Sequence, residues 1–297
     1  MRWGLIGTGP WAESVHAPSL AAHPTADLVA VWGRTAEKAA ALAEAHDVES
    51  VAVLDELLER VDAVSLAVAP DAQLEIARRA AAHGVHVLFE KPVSTDAAAV
   101  QRFADGLPDG IRTVVFLTRL FEPSRAAWLR ERLGTTYSHA HVEWISAALA
   151  PGGRYADSTW RYGAGAIPDI MPHVLSQVVP LLGEVVGTDV SLWAERDGLL
   201  IGLRHPNGAT THVRLTLSAS PDEKQEWIRF DAVDGSVTTP ADALDFVAAH
   251  SVAVSAIEDG VDLALDPLLS QADLRSAIPT ASVLGDLMSE ARRVLGG

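Results

Sequence analysis

The chain reads as α/β: a doubly wound parallel sheet first, then a mixed α/β domain built on a largely antiparallel open sheet. Three observations predict this. Apolar strand candidates alternate with helical patterns from Arg2 to about Thr118, which marks a parallel sheet covered on both faces. In the second half, strand candidates are separated by the turn dipeptides Asp197-Gly198, Asn207-Gly208 and Asp234-Gly235, as between antiparallel neighbours. The chain also opens on an apolar strand, Trp3-Gly4-Leu5-Ile6, that runs straight into the glycine turn Gly7-Thr8-Gly9-Pro10-Trp11-Ala12.

Taken in order, strands are expected at 2–6, 28–33, 50–53, 62–68, 85–89 and 112–117, with helices near 10–22, 35–45, 71–83 and 95–105. Right-handed crossovers then give the doubly wound sheet. In the opening turn, Gly7 permits the tight bend after the strand and Gly9 lets the backbone approach a pyrophosphate. Ala12, small in the third place, lets the next helix sit close to the sheet. Pro10 suits the first turn of that helix, whose unsatisfied amides and positive dipole end face an anion. The pattern changes near 118–122, so the domains are drawn as 1–119 and 120–297. A helix near 123–133 is followed by strands at about 135–149, 187–194, 199–205, 210–219 and 225–233, read as a mostly antiparallel meander. The alternation in Thr211-His212-Val213-Arg214-Leu215-Thr216-Leu217 gives this sheet one apolar face and one semi-polar face, and a homodimer or homotetramer through the latter is expected.

With 297 residues, 48% of them hydrophobic, the chain can bury a sizeable core. Its 23 basic and 39 acidic residues give a net charge of −16, which repels nucleic acid and anionic membrane surfaces. A bound dinucleotide must therefore be held by local features. The chain has no cysteine, hence no disulfide and no thiolate metal site. With no signal peptide before the first strand and no apolar run of roughly 20 residues, a soluble cytoplasmic protein is expected.

The fifth strand ends in Glu90-Lys91-Pro92, which puts a lysine at the carboxyl edge of the sheet, where open α/β sheets bind ligands. An ammonium there can hydrogen-bond an alcohol or carbonyl and stabilise developing alkoxide charge. Asp169 and His173 stand four residues apart, so a helix beginning near Asp169 carries both on one face. Asp169 resembles an N-cap, Pro172 fits only in a first turn, and Gly183 ends the helix. The plain alternative for this pair is a capping aspartate and a packed histidine.

Gly7-Thr8-Gly9-Pro10-Trp11-Ala12, Glu90-Lys91-Pro92, Trp160-Arg161 and Asp169-Ile170-Met171-Pro172-His173, in that order, resemble the glucose-fructose oxidoreductase and inositol dehydrogenase family, Gfo/Idh/MocA. The resemblance implies a Rossmann NAD(P)-binding domain and a second α/β domain. It also implies hydride transfer between nicotinamide and a sugar, polyol or related small carbonyl compound. On it, Lys91 reaches the reacting oxygen and His173 is the acid/base, a role that suits an imidazole. Asp169 then orients one or both. Glu90 shapes the cofactor side or serves as a structural salt bridge. Trp160, Arg161 and Arg119 border the substrate, although a buried indole and a surface arginine would look the same in sequence. At Ala69-Pro70-Asp71-Ala72-Gln73 many relatives carry a histidine in place of Gln73, a departure that weakens one cofactor contact.

An NAD enzyme usually offers an acidic residue after the second strand, where this chain has Gly33-Arg34-Thr35. Arg34 can pair with a 2′-phosphate and Thr35 can add a hydroxyl, so NADP is preferred over NAD. Asp27 begins that strand and points to the wrong edge. His16 is expected to pack. His139 and His141 share a strand face, but no carboxylate or cysteine cluster supports a metal there. Two alternatives remain open on the same fold. One is a nucleotide-binding sensor or corepressor, which would need no proton donor. The other is a glycoside hydrolase using tightly held NAD, which would consume no cofactor.

Overall fold

The computed structural model describes residues 1–152, 155, 156, 158, 161, 165–196, 198–241 and 243–296. It contains two compact units: Met1–Pro123 with Leu244–Pro279, and Ser124–Ala243 with Thr280–Gly297. The sequence partition at 119/120 assigned everything after the border to one domain; in the structure the segment 244–279 returns to the first unit.

The first unit is a six-stranded parallel sheet in the order β3-β2-β1-β4-β5-β6. Its strands are β1 (Arg2–Ile6), β2 (Asp27–Trp32), β3 (Glu49–Ser50), β4 (Ala63–Leu66), β5 (His86–Glu90) and β6 (Thr113–Phe116). The central strands are short apolar runs that bury both faces: Leu5, Ile6, Val64, Leu66, Val87, Leu88 and Phe89 are all fully enclosed. Helix α1 runs over residues 10–22, with a π-type turn at Ala12–His16. It is followed by α2 (Ala36–Ala45), α3 (Leu54–Leu58), α4 (Pro70–Ala82), α5 (Ala97–Asp105) and the short α6 (Thr118–Phe121). The third strand is only two residues long, because Val53 already begins the unexpected α3, whose Leu57 packs against Gly4 of β1.

The returning segment supplies α9 (Phe246–Glu258), which packs on α1, α6 and β6. Ala249, Ala253 and Ala256 line its buried face at helical spacing, with Val254 and Ile257 beside them. Such small side chains let the helix approach its neighbours closely. Asp245 caps it, its side chain accepting the Ala248 N–H at 2.9 Å.

The second unit is a mixed sheet of six strands, β12-β11-β7-β10-β9-β8. They are β7 (Tyr137–Ile145), β8 (Gly187–Trp193), β9 (Gly198–Arg204), β10 (Thr210–Thr216), β11 (Gln225–Ala232) and β12 (Gly235–Thr238). A simple meander is not what forms. The first strand, β7, is inserted between β10 and β11 and runs parallel to β10, with Thr210 opposite His139 and Thr216 opposite Ile145. The β10–β11 connection is long enough to step over it, carrying a turn at Pro221–Glu223 closed by a Ser220–Glu223 capping box. All other pairings are antiparallel. The Asp234-Gly235 signal marks a real hairpin, into a strand β12 that the sequence reading lacked. Asp197 lies outside the described residues.

Inward residues Ala140, Val142, Trp144, Val213, Leu215, Ile228 and Phe230 form this unit's core. On it lies α8 (Ala166–Leu182), in contact with β7 and β10. This unit also contains α7 (Pro123–Arg130) from Ser124 onward and most of the C-terminal α10 (Ala277–Leu295). Thr188 Oγ1 of β8 donates to Glu290 of α10 at 2.7 Å. No helix among the described residues is long and apolar enough to cross a membrane.

Candidate functional site

The glycine turn lies at the carboxyl end of β1, where the strand order reverses between β1 and β4, the place at which doubly wound sheets bind ligands. Gly7 has φ of +126°, and a β-carbon on it would stand 2.2 Å from the Ala67 carbonyl oxygen, so only glycine fits. Its N–H donates to Trp32 O at 2.9 Å, tying the turn to β2. A β-carbon on Gly9 would meet nothing within 4 Å. The backbone there faces open space, as an approaching pyrophosphate requires. Helix α1 starts directly behind it, with Glu13 N donating to Gly9 O at 3.1 Å and Ala12 fully buried against the sheet. These residues fit a dinucleotide.

Around the turn stand the other expected cofactor residues. Gly33 follows β2, and Arg34 and Thr35 beyond it are exposed. Ala69 and Pro70 open α4, with Ala69 as N-cap and Pro70 in its first turn. Gln73 differs from its expected cofactor contact. It is wholly enclosed; its amide donates to Glu90 O at 3.0 Å and Pro92 O at 2.9 Å, and its oxygen accepts the Glu90 N–H at 2.8 Å. Its role here is to brace the turn that carries Lys91.

Lys91 is half-buried just past β5, before a cis bond to Pro92. Glu90, 7% exposed, accepts three donors: Trp11 Nε1 at 2.8 Å, the Lys91 N–H at 3.1 Å and His16 Nε2 at 3.2 Å. The sequence had placed Glu90 at the cofactor side or in a salt bridge; the structure ties it to the glycine turn through Trp11 and to the interior through His16. His16 is fully buried, as packing would require, but it is also a hydrogen-bonded link. Arg119 is buried on α6, with Nη1 donating to Thr118 Oγ1 at 2.8 Å and its guanidinium 5.7 Å from the Phe246 ring centre.

In the second unit, α8 carries Asp169 and His173 one turn apart, both 6% exposed. The helix begins earlier than expected, at Ala166, after Gly165 with φ of +73°. Asp169 is therefore within the first turn and is not the cap, and Pro172 falls inside the helix. The positive-φ glycine and the apolar Ile167 extend the helix backward past the aspartate. Asp169 is gripped by Arg161, Nε to Oδ2 at 2.9 Å and Nη2 to Oδ1 at 3.3 Å. The same guanidinium donates to Ser158 Oγ and lies 3.9 Å from the Tyr155 ring centre. Arg161, expected at the substrate, thus orients a carboxylate bidentately. Trp160, together with Tyr162, Gly163 and Ala164, lies outside the described residues.

His173 stacks on Trp144 of β7, ring centres 5.7 Å apart and planes 6° from parallel. Its carbonyl accepts from Ser176 Oγ at 3.0 Å and Gln177 Nε2 at 2.8 Å. Gln177 is in turn held by the buried Arg125, Nη1 to Oε1 at 2.7 Å. Sequence reasoning missed Trp144, Gln177 and Arg125; the only signal was polar residues inside an otherwise apolar α8. His139 and His141 stack on the other sheet face, and His141 Nε2 lies 3.1 Å from Asp231. Among the described residues no group of three or more His, Cys, Asp or Glu is arranged to hold a metal.

Residues 1–109 match the family described as Gfo/Idh/MocA, oxidoreductase family, NAD-binding Rossmann fold. The chain is 37% identical over 107 residues to dTDP-3,4-didehydro-2,6-dideoxy-alpha-D-glucose 3-reductase of Streptomyces violaceoruber, covering 35% of this chain and 31% of that protein. It is 37% identical over 95 residues to galactose 1-dehydrogenase of Pseudomonas fluorescens, covering 31% and 29%. The aligned segments thus span less than a third of these relatives' length. By structure, UDP-N-acetylglucosamine 3-dehydrogenase from Acidithiobacillus ferrooxidans shares the fold over 99% of both chains, with a TM-score of 0.81 at 21% identity.

Proposed function

We propose that the chain, whose residues 1–109 match the Gfo/Idh/MocA oxidoreductase family, is as a whole an NADP(H)-dependent oxidoreductase acting on a sugar, polyol or related small carbonyl compound. One observation carries this reading: an open glycine turn at the switch point, braced through Trp11 and Glu90 to the backbone of Lys91. A bound nicotinamide would supply the hydride acceptor or donor.

The chain's own residues supply the rest. In the oxidative direction the Lys91 ammonium stabilises the alkoxide, His173 removes the hydroxyl proton and Asp169, fixed by Arg161, orients its neighbours. In reduction His173 or Lys91 returns the proton. Stacking on Trp144 and the brace from Gln177 hold the His173 ring and backbone, which suits a proton carrier. Arg34 and Thr35 are exposed just past β2, where Gly33 takes the place of the ribose-binding acidic residue usual in NAD enzymes, and this supports NADP. Arg119 and Trp160 are assigned to the substrate. The semi-polar face of the second sheet supports a homodimer or homotetramer.

The test is a screen of sugars and polyols with NADP followed by nicotinamide absorbance, repeated with Lys91→Ala. Turnover by the native chain and a loss of roughly 100-fold or more in the variant is expected, since removing one group that stabilises an oxyanion costs on that order. Native turnover in Lys91→Ala would overturn the assignment.

A further inference from the structure

Beneath the Lys91 turn, the first unit buries a chain of polar side chains that the proposed reaction does not use. His16, Ser19, Ser65 and His250 are at most 1% exposed. His250 comes from α9, 234 residues away from His16 in sequence, and its Nε2 lies 3.1 Å from His16 Nδ1. Ser65 Oγ stands between them, 2.8 Å from His16 Nδ1 and 3.0 Å from His250 Nε2. On the outer side, His250 Nδ1 is 3.0 Å from Ser19 Oγ. The rings are 4.3 Å apart, and Phe116 presents an edge to each.

Donor and acceptor counting gives a continuous chain of hydrogen bonds for the tautomer of His16 protonated on Nε2 alone. The Glu90 carboxylate only accepts, so His16 Nε2 carries the proton that it shares with Glu90. In that tautomer His16 Nδ1 accepts the Ser65 hydroxyl, and Ser65 Oγ in turn accepts His250 Nε2–H, which also lies close to His16 Nδ1. His250 Nδ1, now an acceptor, takes the Ser19 hydroxyl. Every polar atom is satisfied in one consistent arrangement ending at Glu90, whose other carboxylate oxygen accepts the Lys91 N–H. Burial keeps the His250 imidazole neutral, consistent with this order.

We propose that His250 is a positioning residue: acting through His16, it locks the Glu90 carboxylate and thereby sets the backbone at Lys91 and the Trp11 indole of the cofactor turn. This gives the return of residues 244–279 to the first unit a chemical purpose, because the helix they form holds the far end of the lock. The catalytic consequence rests on the oxidoreductase reading above; the structural one does not.

The experiment uses the full chain labelled with ¹⁵N-tryptophan, whose eight tryptophans give resolvable indole resonances. Trp11 is assigned by its loss in Trp11→Phe. In His250→Phe the Trp11 indole proton is expected to move upfield as its bond to Glu90 loosens, and kcat to fall roughly tenfold or more while nicotinamide affinity stays within about twofold, because misplacement costs turnover before binding. In His250→Gln, which restores an N–H donor and an acceptor, most of the resonance shift and of kcat should return. A purely structural role would lower thermal stability in both variants alike and leave the Trp11 resonance in place. An unmoved Trp11 resonance in folded His250→Phe, or equal losses in the Phe and Gln variants, overturns the proposal. Should His250→Phe not fold, Ser65→Ala removes the shared hydroxyl and is read in the same way. If the native chain turns over no sugar, only the oxidoreductase reading falls, and the Trp11 resonance still decides the lock.

Discussion

A β-carbon on Gly33 would stand 2.6 Å from Cγ2 and 3.2 Å from Oγ1 of Thr8. The residue after β2 and the middle of the glycine turn therefore compete for one volume, and Thr8 has taken it. A β-branched side chain has little rotamer freedom with which to yield.

Cofactor choice is thus coupled across these two positions. Gly33→Asp alone should weaken NADPH binding without creating an NADH site, since the carboxylate is forced off its rotamer at a cost of about 1–3 kcal/mol. Thr8→Gly combined with Gly33→Asp should bind NADH better than NADPH. Fluorescence titration of both cofactors against the single and double variants checks this, and a single variant that already prefers NADH would refute the coupling.

Arg34→Ala should lower NADPH affinity about tenfold to a hundredfold and leave NADH affinity unchanged, as expected for loss of a charge-assisted bond to a 2′-phosphate. Equal losses for the two nucleotides would place Arg34 on the adenine or the shared phosphates.

The grip of Arg161 on Asp169 makes a different prediction. Both side chains are largely enclosed, at 13% and 8% exposure, so Arg161→Ala should destabilise the chain by about 3 kcal/mol, the order seen when one partner of a buried pair is removed. Asp169→Asn in that background should recover part of the loss, giving a coupling of about 1 kcal/mol or more in a denaturant double-mutant cycle. Additive losses would show that the two side chains are not coupled.

Stability should also depend on pH through His250. Burial holds its imidazole well below the usual histidine range, and His16 and His23 push the same way. In the unfolded chain the group titrates near 6.5, so below that pH the unfolded state takes up a proton that the folded state refuses. Stability is expected to fall as pH drops through this region toward the folded-state value, by at most about 1.4 kcal/mol per unit. Denaturant unfolding between about pH 7.5 and 5.5 should show a shallower slope in His250→Gln than in the native chain; identical slopes would contradict this.

The nucleotide-binding sheet was legible because its determinants are local. Apolar runs, helical spacing and a glycine with one allowed conformation predicted β1, the turn and α1 over 10–22 closely. The pairing of Asp169 with His173 on one helix face followed from spacing alone. What was not legible depends on residues far apart in the chain. Nothing near Tyr137–Ile145 announces that this strand will sit between β10 and β11, because β alternation specifies a face and not a neighbour. His250 meets His16, and Trp144 meets His173, only after the chain has folded. The grip of Arg161 on Asp169 was not legible either, because an arginine's partner is invisible in sequence.

The central claim is tested most directly by titrating the nucleotide-stripped chain with NADPH and NADH side by side, following energy transfer from its tryptophans to the nicotinamide. Saturable binding of both, with NADPH clearly tighter, is the expected result. Binding of neither would contradict the account, leaving the glycine turn as a structural bend and Lys91 without a reaction to serve.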